Sequence, residues 1–101
     1  MTTFDPAFDA VHPSGQLIFR SCRGGYLHSV QLGESAMDTD AGTLARAILL
    51  AARVSHLKAA MQVRQEIIEG GFTPSDQIAG PGDLDTAAAA LLGHRLRPGA
   101  A

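Results

Sequence analysis

Four histidines, one cysteine and a scatter of arginines and aspartates are the residues of this chain that could do chemistry. His12, His28, His56 and His94 include no i, i+4 pair, and no HExxH or paired-cysteine spacing accompanies them. A zinc site needs several ligands converging on one point, so no metal is expected. Cys22 is the single cysteine, which leaves no intramolecular disulfide and fits a reducing compartment. No sequence feature brings a base to its thiol, and it reads as a small strand residue rather than a nucleophile. Asp38 and Asp40 form a carboxylate pair, but they stand where a helix start favours negative charge, so capping accounts for them. The expectation is a protein that is not an enzyme, with no catalytic residue and no cofactor.

The basic residues raise a different chemistry. Arg20 and Arg23 sit beside Gly24-Gly25, and Arg53 and Lys58 follow later in the chain. Arginines at a hairpin tip can touch phosphate. Against this, 8 Lys and Arg face 10 Asp and Glu, for a net charge of −2, so no bulk electrostatic drive toward nucleic acid exists. The glycines lack the GxxxxGK spacing of a phosphate loop. Nucleic-acid contact through Arg20, Arg23, Arg53 and Lys58 is the alternative reading, not the leading one.

The elements that must position these side chains are legible from local chemistry. Met1 to Ser14 reads as an irregular arm whose Phe4, Phe8 and Val11 pack onto the domain. Gln16 to Arg23 reads as a strand with Leu17 and Phe19 on one face. Gly24-Gly25 suits a tight primed turn, and Tyr26 to Leu32 returns as the second strand. Leu17, Phe19, Val30 and Leu32 are the expected sheet core. After a polar connection, a helix is predicted from about Asp40 to Glu69, stopped by Gly70-Gly71. A loop from Phe72 to Asp83 leads to a shorter helix that stops near Gly93. The divisions are an arm over 1–14, one domain over 15–98 and a tail over 99–101. The fold class is α+β: a β-hairpin packed on one long helix, with a short C-terminal helix.

The long helix carries two apolar stripes. Leu44, Ile48, Ala51, Ala52, Ser55 and Ala59 form one, and Leu50, Val54, Leu57 and Met61 form the other. A single hairpin covers one stripe, and alanine, the commonest residue, buries little area. The second stripe is covered either by the C-terminal helix and N-terminal arm of the same chain or, as the favoured reading, by a second subunit, giving a homodimer. Its longest apolar run, Ala47 to Ala52, is too short to span a bilayer. Met1 to Ala10 carries Asp5 and Asp9 with no basic start before an apolar run. A cytoplasmic protein without a membrane span is expected.

The order HPSGQLIFRSCRGGYLHSVQL, a polar spacer containing Met37, then LARAILLAARVSHLKA resembles the mycobacterial EspH family, associated with type VII (ESX) secretion. Pro13, Gly25, Val30, Leu32, Leu44, Ala45, Ile48, Ala52, Lys58 and Ala59 carry the resemblance, with Gly93, Leu96 and Pro98 in the tail. More distantly, hairpin plus helix is similar to the YbaB family of small dimeric nucleoid-associated proteins. The first resemblance implies an accessory or chaperone-like protein that binds a secreted substrate or another secretion component in the cytosol. Leu50, Val54, Leu57 and Met61 would form the dimer or partner interface. The second implies the alternative, a DNA-binding dimer.

Overall fold

A computed structural model of the chain describes residues 8–22, 27–75 and 78–96. It is an α+β arrangement of three strands, β1 (Ala10–Val11), β2 (Leu17–Ser21) and β3 (Leu27–Leu32), and three helices, α1 (Glu34–Met37), α2 (Ala41–Glu69) and α3 (Pro81–Leu92). The strands form one antiparallel sheet in the order β1-β2-β3. Gly24-Gly25, the expected turn, and Arg23 lie outside the described residues, as does Phe4.

Local chemistry sets the helix ends. The Asp40 carboxylate accepts from the Thr43 N–H at 2.9 Å and from its hydroxyl at 2.6 Å, which satisfies free donors at the start of α2. At the other end, Gly71 takes φ of +86°. Its N–H bonds to Ile68, and that of Phe72 reaches back to Ile67, both at 3.0 Å, a Schellman stop that needs a residue without Cβ penalty. α3 begins at Pro81, earlier than the predicted loop end at Asp83. Proline at the first helical position arrives with its φ preset, and Asp83 reaches back to accept from the Gly80 N–H at 2.8 Å. The polar connection after β3 contains one helical turn, α1.

The arm is not wholly irregular. Ala10 pairs with Phe19 and Val11 with Ile18, so the arm supplies the third strand. Phe8 is buried as expected, but Val11 is exposed on the outer face, and Ala10 and His12 are buried instead. This addition moves the centre of the sheet. An α-helix is about 10 Å across and strands lie about 4.8 Å apart, so one helix covers roughly two strands. With β1 present, α2 packs on β1 and β2 and scarcely meets β3. Leu17 and Phe19 are core as expected, whereas Val30 and Leu32 are 36% and 37% exposed, not core.

The second helical stripe also finds its cover inside the chain. Val54 and Leu57 are buried, and Leu50 is packed against the same cluster as Ala87 and Leu91 of α3. α3 packs along α2 where a second subunit was expected. A polar seam ties the sheet side together. Ser55 donates to the Phe8 carbonyl at 2.6 Å and accepts from the Ser21 hydroxyl at 2.5 Å.

The result is thin and long, 56 × 31 × 17 Å, with a radius of gyration of 15.0 Å. A compact chain of this length has about 13 Å.

Candidate functional site

The surface with the most unmet capacity is the outer edge of the sheet. Gly33 N–H donates to Gln16 at 2.7 Å, and His12 N–H donates to Leu17 at 2.9 Å. In an antiparallel ladder hydrogen-bonded and non-hydrogen-bonded pairs alternate. With Leu17 opposite Leu32 and Phe19 opposite Val30, the backbone groups of Ser29 and Gln31 are thereby directed to β2. Those of Val30 and Leu32 are directed away from it, along the open edge.

The side chains on that edge are as unusual as its backbone. Directly opposed residues share a face, so Val30 and Leu32 extend the inner apolar row of Leu17 and Phe19 beyond the cover of α2. Leu27, at the start of β3, and Met37, at the end of α1, are also exposed. The strand Leu27–Leu32 holds no Lys, Arg, Asp, Glu or Pro, side chains that ordinarily keep an edge from pairing; its register with β2 is regular from Leu32 back to Ser29 and bulges between Ser29 and Leu27.

A second apolar surface lies where α2 runs past α3. Met61, Ile68, Pro81 and Leu84 line a shallow cleft there, with Arg64, Gln65 and Asp85 on its rim. Of the four residues expected at a partner interface, Met61 reaches this surface. Val54 and Leu57 belong to the core cluster that includes Ala87 and Leu91 of α3, and Leu50 packs against it.

The titratable groups converge in one place that sequence spacing did not suggest. His12 is buried, and its Nδ1 accepts from the Ser14 N–H at 3.1 Å and from the Ser14 hydroxyl at 2.8 Å. This fixes the neutral tautomer with the proton on Nε2, which donates to His94 Nδ1 at 3.0 Å. The rings meet edge to face, 5.3 Å between centroids. Burial first, then electrostatic interaction with His94 and Arg95, hold the His12 imidazole below its usual titration range. The pair joins the end of β1 to the segment after α3, across 82 positions. No short motif encodes a contact of that span. Among the described residues, no group of three or more His, Cys, Asp or Glu is arranged to hold a metal.

Of the basic residues of the alternative reading, Arg23 lies outside the described residues, and Arg20, Arg53 and Lys58 do not converge on a phosphate-sized site. Arg20 pairs with Asp9 at 3.4 Å, and Lys58 donates to the Asp9 carbonyl at 2.8 Å, half-buried. Arg53 is exposed elsewhere on α2, beside Ile78 on the approach to α3 and Asp83 in its first turn. Cys22 is buried, and His28 and His56 are exposed. Among the described residues, no helix is long and apolar enough to cross a membrane.

Comparison with known proteins places the chain among others of the same length. The family described as "Protein of unknown function (DUF2694)" matches residues 1–97. The chain is similar to the uncharacterized protein Rv0028 of Mycobacterium tuberculosis, 60% identical over 97 residues covering 96% of each chain. The uncharacterized protein Mb0029 of Mycobacterium bovis matches with the same identity and coverage. No solved structure matches.

Proposed function

The chain belongs to the DUF2694 family, and for this member we propose a non-enzymatic role. It works as a homodimer that binds a partner protein by burying apolar surface, as a cytosolic accessory or chaperone-like protein of type VII (ESX) secretion. The observation that carries the protein-binding role is the uncharged edge strand β3, with Val30 and Leu32 exposed beside α2. Contiguous exposed apolar groups in a small chain mark association surfaces. A ledge flanked by a helix suits an amphipathic helix laid against it, anchored by residues at i, i+3 and i+4.

The link to secretion rests on the resemblance to the EspH family. It is supported by the mycobacterial relatives, which fit that family's origin. Co-expression with small helical type VII substrates is the test. A tagged copy of the chain should retain at least one such substrate through purification, and Leu32→Glu should release it. Recovery of none across a panel of candidate substrates would end the proposal.

A further inference from the structure

We infer that the occupant of the β3 edge is the β3 edge of a second copy, paired antiparallel about a two-fold axis through Gln31. The inference rests on the association role proposed above and specifies its geometry.

Exposed apolar groups and outward backbone groups coincide on this edge. Val30 and Leu32 are 36% and 37% exposed, and their N–H and C=O groups point away from β2. A second copy of the same edge supplies partners for both at once.

Hydrogen bonding and face parity select the register. A two-fold axis perpendicular to the sheet keeps both inner faces on the same side, so paired residues must share a face. The backbone groups directed outward belong to Val30 and Leu32. Placing Gln31 opposite Gln31 sets Val30 of each copy against Leu32 of the other, as two hydrogen-bonded pairs. Each such pair exchanges two bonds. The same register gathers both Val30 and both Leu32 side chains into one apolar quartet on the inner face. The two Gln31 amides meet on the outer face. The paired stretch holds no Lys, Arg, Asp or Glu, so no like charges are opposed, which would cost stability in a cross-strand pair.

The product is a six-stranded sheet with both α2 helices on one face, each over its own β1 and β2. The two central strands form the uncovered floor between them. That floor is about 10 Å wide at ~4.8 Å per strand, the width of one α-helix. Dimerisation thus converts a ledge into a trough for the helical partner.

The test uses the full chain. Val30→Pro removes an outward N–H that β2 does not use, so the copy keeps its own ladder while its edge is blocked. Wild type should sediment at twice 10.5 kDa, and Val30→Pro at that single mass with an unchanged far-ultraviolet dichroism spectrum. Independently, Gln31→Cys in a Cys22→Ala background should oxidise to a disulfide-linked dimer. A non-hydrogen-bonded pair sets Cα atoms about 4.5 Å apart, within disulfide range. Ser29→Cys, two residues off the axis on each copy, should not cross-link. A monomeric wild type, a Val30→Pro protein that remains dimeric, or cross-linking through Ser29→Cys in place of Gln31→Cys would each overturn the inference. Partner capture by a monomeric chain would overturn this geometry alone. A dimer that captures no substrate would overturn the secretion role alone.

Discussion

Acidification should weaken this fold through His12, and the size of the effect has a ceiling. The imidazole is neutral in the folded chain because Nδ1 already accepts two hydrogen bonds from Ser14. A proton there would face the Ser14 N–H, inside a buried site that also meets His94 and Arg95. The folded-state pKa is therefore below the unfolded value. A base of this kind leaves stability at its full value above the unfolded pKa, near 6.5. Stability then falls as pH drops below that point, because the unfolded chain binds the extra proton, and it levels off beneath the folded pKa. One proton can cost at most about 1.4 kcal/mol per pH unit, and the integral from pH 7 to pH 5 is at most ~1.9 kcal/mol. Other groups titrate over the same range, so the comparison must be with His12→Gln. That variant should lose about 1–3 kcal/mol at pH 7 through the broken buried network. Urea unfolding followed by dichroism, at one fixed protein concentration, measures both proteins at pH 7, 6 and 5. The gap between wild type and His12→Gln should narrow with acid. A gap that stays constant, or widens, would refute the assignment of a neutral buried His12.

Two further expectations follow from backbone and packing. Gly71→Ala should destabilise the chain by about 1 kcal/mol, since its φ of +86° disfavours a Cβ. Gly70→Ala, at φ of −76°, should change stability far less in the same urea titration. Leu57→Ala should cost about 2–5 kcal/mol as a buried deletion, while Leu49→Ala, on the exposed side of α2, should stay within ~0.5 kcal/mol. Equal losses from the two leucines would mean that α2 presents a different face to the sheet and α3.

Much of the fold was legible because its signals are local. Asp40 and Gly70-Gly71 bound α2 through chemistry contained in four or five residues, and the alternation of Leu17 and Phe19 marks β2 without reference to the rest. β1 was not legible: Ala10 and Val11 are two residues, too short for any period, and they become a strand because β2 offers them an edge. That one long-range pairing shifted α2 off β3 and reversed the expectation for Val30 and Leu32. The cover of Val54 and Leu57 depended likewise on where α3 docks, a question of tertiary packing that an alanine-rich amphipathic segment does not answer by itself. The site followed the same pattern. Val30 and Leu32 were visible as apolar strand residues, but their exposure was a consequence of β1, and the His12–His94 contact spans nearly the whole chain.

The central claim is that a single copy satisfies its own core and leaves the β3 edge for association. Backbone hydrogen exchange on a dilution series reads this residue by residue. The Gln31 amide, committed to β2, should be protected at every concentration. The Val30 and Leu32 amides should be protected at high concentration and lose that protection together on dilution. Rapid exchange of Val30 and Leu32 at every concentration, with Gln31 protected throughout, would show an edge that nothing occupies and would contradict the account.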